Sequence, residues 1–328
     1  MRKRATMTDV AALAGVALKT VSRVINGEPN VSPEVIERVR RAAEQLDYRH
    51  NLAASNLRRG VRTQTIGVIL HDLSNEFAAA LLRAIDDRAR ADGVAVIASS
   101  LDDNQDRERS QVLELVTRRV DGLVLMPASD DQTYLTAEIH AGLPVVAVDR
   151  PAAGVAVDTV LVDNYEGAVA ATTYLLDRGH RRIACLTDRS FLWTARERRR
   201  GYLDALAQAG VEVDERLVID DVLSADAASQ VISELLRLDD PPTAVFTARN
   251  ELSVGALRAL RAHPDPPLAI VGFDDFPLSD LVEPPVTVVL QDVAAVGRAV
   301  CDLLFERMNG STSPPRTVIV PTRVVDRG

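Results

Sequence analysis

The stretch Met7-Thr8-Asp9-Val10-Ala11-Ala12-Leu13-Ala14-Gly15-Val16-Ala17-Leu18-Lys19-Thr20-Val21-Ser22-Arg23-Val24-Ile25-Asn26-Gly27 holds two short helical patterns separated by a glycine. The first is predicted over 9–14, with Val10, Leu13 and Ala14 on one face, and Gly15 breaks it. The second is predicted over 18–26, with Val21, Val24 and Ile25 at helical spacing. A third starts where Ser32 can cap, Pro33 occupies the first turn without losing a needed donor, and Glu34 suits the helix dipole. Its apolar stripe is Val35, Val39, Ala42, Ala43 and Leu46. Three amphipathic helices, with a glycine turn between the first two, make a helix-turn-helix unit.

Outward from this head the chain changes character. Residues 47–63 read as a linker with one short helix over 51–57, too short to be stable alone in water. From Thr65 onward, apolar β-branched runs recur at 66–70, 94–98, 122–126, 145–148, 183–186, 244–247, 269–273 and 286–290. Helical segments such as 77–90 and 197–209 separate most of them. Continuous apolar strands alternating with helices imply parallel sheets covered on both faces, a doubly wound α/β architecture. The strands are too many for one comfortable sheet, so two similar subdomains are expected. The predicted organisation is a head over 1–50, a hinge helix and linker over 51–63, and an α/β sensor over 64–328. Within the sensor, one subdomain spans about 64–162 and 292–321, the other about 163–291.

At 328 residues the chain has room for two or three compact units, and its 47% apolar content is ordinary for a globular protein. No apolar run approaches the ~18 residues of a membrane span, so no membrane association is expected. Cys185 and Cys301 lie far apart, cannot build a disulfide framework, and read as small buried hydrophobes of a reducing compartment. The basic start Met1-Arg2-Lys3-Arg4 imitates a secretion leader. Asp9 before the apolar stretch and the lack of a small-residue cleavage site mark it as mature protein. Charge is uneven: residues 1–62 carry +6 and the remainder −15, for a net of −9. A basic head on an acidic body is the footprint of a protein that docks one end on phosphate.

The sequence 7–27, together with Val31-Ser32, resembles the head of the lactose/galactose repressor (LacI/GalR) family, and the resemblance extends over essentially the whole chain. It implies a cytoplasmic, sequence-specific repressor bound to a pseudo-palindromic double-stranded operator, with a periplasmic-binding-protein type I-like sensor. The residues agree independently. Lys19, Ser22, Arg23 and Asn26 fall at i, i+3, i+4 and i+7, a polar face suited to the major groove. The resemblance puts Leu18, Lys19 and Arg23 at base-reading positions. Thr20, Ser22 and Asn26 are assigned to phosphates, which fix register, and Thr8 and Asn30 are further DNA-binding candidates. Ala17 departs from the usual hydroxyl residue there, a loss of one cap bond worth about 1 kcal/mol. Asn51, Ala54 and Leu57 match the hinge helix, whose paired leucines would wedge a base step in the minor groove. His50 replaces the proline often found before Asn51.

Candidate sensor contacts sit at strand ends, where α/β sheets bind ligands. His71-Asp72-Leu73-Ser74-Asn75-Glu76-Phe77 resembles the family's loop with an effector-facing aromatic, although Glu76 and Ala78 depart from Asn-Pro-Phe-Phe. That loop nominates Asp72, Ser74, Asn75 and Phe77. Asp149-Arg150 ends another strand, Arg198 precedes Gly201 as in the family, and Asp274 ends a further strand. Trp193 is placed to stack on an apolar sugar face. Carboxylates and arginines in one cleft suit sugar hydroxyls, each both donor and acceptor. Arg249-Asn250 stands where the family often has Asn-Asp, which points to an atypical or acidic effector. The implied partners are thus operator DNA, a small-molecule effector of carbohydrate type and a second copy of the chain, as a dimer or tetramer. No cofactor is implied. A secreted sugar-binding protein would need a leader just before Thr65, where a basic head of about sixty residues intervenes. The five histidines show no metal spacing, and nucleophile-elbow and phosphate-loop patterns are lacking, so neither a metal site nor a catalytic site is expected.

Overall fold

The computed structural model describes residues 5–25, 28–48, 62–102, 104–265, 267–283 and 285–327. The chain falls into two units, Met1–Thr63 and Gln64–Gly328. Asn26, His50 and the expected hinge helix with Asn51, Ala54 and Leu57 lie outside the described residues.

In the first unit, helix α1 (Met7–Ala14) begins two residues earlier than the pattern predicts. Thr6 is its cap: the Thr6 hydroxyl accepts from the Asp9 N–H at 3.3 Å, and the Asp9 carboxylate accepts from the Thr6 N–H at 2.8 Å. This reciprocal capping box satisfies two orphan donors of the first turn. The earlier start makes Met7, Val10, Ala11 and Ala14 the inward stripe and leaves Leu13 exposed, against the expectation for that residue. Gly15 takes φ 63°, a left-handed cap that only glycine adopts freely. The turn leads into α2 (Leu18–Ile25), and Ser32 caps α3 (Pro33–Gln45) by accepting from the Val35 N–H. Val10, Val21, Val39 and Ala42 are the buried centre.

In the second unit the elements run β1 (Thr65–Leu70), α4 (Glu76–Ala91), β2 (Ala95–Ser100), α5 (Gln105–Thr117), β3 (Gly122–Leu125), α6 (Thr136–His140), β4 (Val145–Val148) and β5 (Asp158–Val162). They continue as α7 (Asn164–Asp177), β6 (Ile183–Leu186), α8 (Trp193–Gln208), β7 (Val218–Ile219), α9 (Ala225–Leu235), β8 (Ala244–Thr247), α10 (Asn250–Ala262) and β9 (Ala269–Phe273). The last are β10 (Thr287–Gln291), α11 (Val293–Met308), β11 (Thr317–Val320) and β12 (Thr322–Val325). One sheet has the order β11-β5-β4-β3-β1-β2, the other β12-β10-β9-β8-β6-β7. Every pairing is parallel except β10 with β12. The inner strands of both sheets, such as β1, β3, β4, β6 and β8, are buried on both faces, which is why they read as unbroken apolar runs. In β1, Ile66, Val68 and Leu70 pack toward α4 and α11, while Ile69 packs toward α5.

Among the described residues twelve strands form where eight runs are legible. β5 opens on Asp158 and Thr159, polar residues that mask it, yet Asp158 is buried because Arg307 pairs with it at 2.6 Å. α8 begins at Trp193, four residues before the predicted start. Three short connections, at Asp163, Asp292 and Pro321, join the two lobes. β12 follows β11 across Pro321 alone, so the chain steps straight into the second sheet and lies antiparallel at its edge. The Asp163 carboxylate accepts from the Thr322 N–H at 2.7 Å and ties two of these connections together.

Candidate functional site

The outer face of α2 carries the residues that the spacing singles out. Val21 is buried in the head, while Leu18 and Lys19 are exposed and Thr20, Ser22 and Arg23 are half-buried. Arg23 Nε lies 3.5 Å from Glu28 in a pair exposed by about two fifths on each side (41% and 43%). Such surface pairs are worth about 1 kcal/mol at most, so a phosphate or a guanine can displace Glu28. The Ala17 carbonyl accepts from the N–H groups of Thr20 and Val21, which starts the helix without a side-chain hydroxyl at that residue. Thr8 is exposed on α1, and Asn30 is exposed with φ 71°, a conformation asparagine tolerates.

The second site lies between the two lobes, beyond the carboxyl ends of the strands. β1 delivers His71, Asn75 and Phe77, and β4 delivers Asp149 and Arg150. Across the gap, β6 delivers Asp188, β8 delivers Ala248, Arg249 and Asn250, β9 delivers Asp274, and β10 ends on Gln291. Thr194, Ala195 and Arg198 enter from the start of α8. Asp149 and Asp274 sit at φ 67° and 71°, left-handed conformations costing of order 1 kcal/mol each, which turn the chain sharply as it leaves the sheet.

Arg198 is held from four sides. Its Nε donates to Asn164 Oδ1 at 2.7 Å, its Nη1 donates to the Ala248 carbonyl at 2.7 Å, and Asp274 Oδ2 lies 3.4 Å away. The guanidinium also rests on the Phe273 ring, 3.6 Å from its centre. Gly201, one turn further along α8, makes this placement possible: a Cβ there would meet the Tyr165 carbonyl oxygen of α7 at 2.4 Å.

Two further acid–arginine pairs complete the lining. Asp188 meets Arg249 at 2.8 Å, and Asp149 meets Arg150 at 3.4 Å. Burial alone would raise the Asp188 carboxyl, but Arg249, the Arg189 N–H and Arg150 hold it below its ordinary range. His71 is buried with Nδ1 3.0 Å from Met126 Sδ, and burial, then Arg150 and Arg249, bring its pKa down to about 3. It is a neutral imidazole at any physiological pH. Gln291 donates to Asp274, and its own Oε1 is buried with no hydrogen bond among the described residues.

The lobes meet closely here. The inner cavity has a free volume of about 40 Å³ and opens beside a second cavity of about 430 Å³ that shares Phe77, Asp274 and Gln291. Of the residues nominated from sequence, Asn75, Phe77, Asp149, Arg150, Arg198, Arg249 and Asp274 line the inner cavity. Asp72 and Ser74 do not: the Asp72 carboxylate accepts from the Ser74 N–H at 2.8 Å and from its hydroxyl, shaping their own loop. Trp193 does not either; it is half-buried at the first position of α8, and its two successors face the cavity instead. Asp188 and Gln291 were missed, although each follows or ends a strand and the strand-end rule applied to Asp274 would have found both. His71 enters the sequence reading only as the first residue of that loop and is not nominated.

A helical head with a polar reading face, followed by a two-lobed sensor closing on a cleft at its strand ends, defines a ligand-responsive DNA-binding regulator. The profile described as "Bacterial regulatory proteins, lacI family" matches residues 6–51, and "Periplasmic binding proteins and sugar binding domain of LacI family" matches residues 63–327. The catabolite control protein A of Priestia megaterium is 32% identical, over 97% of each chain. The solved transcriptional regulator CelR–cellobiose complex is 33% identical, with 98% of this chain and 99% of that one covered and a TM-score of 0.70. The Lac repressor dimer bound to operator and the anti-inducer ONPF is 26% identical, with 99% and 98% covered and a TM-score of 0.85. The chain belongs to the LacI family of bacterial transcription regulators. No helix among the described residues is long and apolar enough to cross a membrane.

Proposed function

We propose that this chain is a cytoplasmic repressor whose operator affinity is set by a neutral, hydroxyl-rich effector of the sugar class held between its lobes. The observation that carries the effector class is the pairing of charges in the cleft. Each of the three arginines already has its carboxylate: Arg150 with Asp149, Arg198 with Asp274, Arg249 with Asp188. An anionic effector would have to break a buried pair, which costs about 3–5 kcal/mol when one partner is left behind. A hydroxyl instead donates to one member and accepts from the other, leaving the pair in place. Gln291 Oε1 adds a buried acceptor for one more hydroxyl. The acidic effector to which Arg249 pointed in the sequence is therefore disfavoured, since Asp188 and Glu251 (2.9 Å) already neutralise that guanidinium.

The head binds operator through Leu18, Lys19 and Arg23 at base edges, with Thr20, Ser22 and Asn26 on phosphates and Thr8 and Asn30 as further DNA contacts. The cleft works by differential affinity: the effector prefers one arrangement of the lobes, and by linkage its effect on DNA binding equals the effect of DNA on its own binding. The chain acts as a homodimer. Leu278 and Leu281, 64% and 74% exposed, and Leu223, 47% exposed, are large apolar side chains that a second copy would cover. The similar Lac repressor is solved as a dimer on its operator. Membership in a family of transcription regulators supports a binding role rather than catalysis.

A thermal-shift screen of the purified chain against neutral mono- and disaccharides, sugar phosphates and uronates tests the effector class. Stabilisation by a neutral sugar, with no response to its phosphate, is the expected result. A preference for the phosphorylated or carboxylated form would overturn it.

A further inference from the structure

The two lobes present helix N-termini to one another: α4, sixteen residues long, begins at Glu76, and α10, thirteen residues long, begins at Asn250. Each end carries about half a positive charge, so bringing them together is unfavourable unless something negative stands between. Glu76 does so. Its Oε2 accepts from Asn250 Nδ2 at 3.2 Å, across the cleft. The same amide takes a second bond from the first lobe, because Asn75 Nδ2 donates to Asn250 Oδ1 at 3.1 Å. The Glu251 N–H donates to that oxygen at 2.8 Å. Asn250 is 1% exposed and Asn75 8% exposed.

The geometry points to Glu76 and Asn250 as a positioning pair that sets the resting closure of the cleft before any effector enters. Neither is a member of the three arginine pairs that recognise hydroxyls, although Asn250 directly follows Arg249 and lines the same cavity. They act on how often the two lobes meet, and an effector's apparent affinity scales with the population of the arrangement it prefers. The amide at position 250 is essential to this role. A carboxylate there would keep its bonds from Asn75 and the Glu251 N–H but would face Glu76 as a like charge about 3 Å away.

The test is hydrogen–deuterium exchange on the intact chain, without effector or DNA, so that its outcome does not depend on the proposed function. Asn250→Asp is expected to raise amide exchange in segments 76–80 and 250–254 by about tenfold, the value of one hydrogen bond to a charged group. Glu76→Ala should raise it comparably. The double variant Glu76→Gln with Asn250→Asp restores a donor opposite an acceptor and should return exchange to within about threefold of the parent. Its melting temperature serves as the folding control. Unchanged exchange in Asn250→Asp and Glu76→Ala would overturn the assignment. So would a double variant as fast as Asn250→Asp, because that result would make Asn250 a local helix residue only.

Discussion

Lowering the pH from 7.5 to 5 is expected to destabilise the sensor through His71. The imidazole is 7% exposed and its pKa falls from the ordinary 6.5 to about 3, chiefly through burial and then through Arg150 and Arg249. The folded chain therefore keeps His71 neutral while the unfolded chain protonates it. Its stabilising contribution is complete above pH 6.5 and is lost progressively as the pH falls toward 3. Each unit is worth about 1.36 kcal/mol, so by pH 5 the loss reaches about 2 kcal/mol. Asp188, held below the ordinary carboxylate range, loses its contribution only at lower pH and stays outside this window. His180 is also held low, by burial and Arg178, so the measurement needs a subtraction. Urea unfolding of the parent and of His71→Gln, at pH 7.5 and pH 5, supplies it. The gap between the two proteins should move by about 2 kcal/mol in favour of the variant as the pH falls. An identical pH dependence in both would refute the reasoning, as would an NMR titration of His71 with its midpoint near 6.5.

Arg23→Ala should weaken operator binding by about 1–3 kcal/mol and relax sequence preference; an equal loss on random DNA in a competition titration would contradict base reading. Arg198→Met leaves Asp274, Asn164 and the Ala248 carbonyl without their shared donor, so sensor stability should fall by about 3–5 kcal/mol in chemical melts, and any sugar-induced shift should vanish. Gly201→Ala forces α8 away from the Tyr165 carbonyl, at a cost of about 1–3 kcal/mol, with a weaker sugar response. A variant as stable and as responsive as the parent would mean that the close helix approach does not position Arg198. Sugar affinity should be flat between pH 5.5 and 8 because His71 stays neutral; a break near 6.5 would point to a protonating imidazole in the cleft.

The doubly wound architecture was legible because strands buried on both faces leave a strong signature, unbroken apolar runs at 66–70 or 269–273. β5 escaped because its first buried residue is Asp158, whose partner Arg307 lies 149 positions away, and no local pattern reveals that. β11 and β12 escaped because four-residue strands around Pro321 look like a loop. The head was clearer in its helices than in their ends. Thr6-x-x-Asp9 is itself a capping signature, and overlooking it shifted the inward stripe of α1 onto Leu13. In the cleft, residues at strand ends could be nominated one at a time. Asp149 and Arg150 are sequence neighbours, but the other two acid–arginine couples depend on contacts across 61 and 76 positions, which only the folded chain displays. The same holds for the contact between Glu76 and Asn250, 174 positions apart.

One titration bears most directly on the account. A palindromic duplex is selected from random DNA by the purified full-length chain, then competed against bulk duplex at moderate ionic strength, with and without the neutral sugar found by thermal shift. The account predicts a preference for the palindrome of at least about a thousandfold and a displacement of that affinity by the sugar. Binding that falls equally on palindrome and bulk DNA, whether the sugar is present or absent, would contradict it.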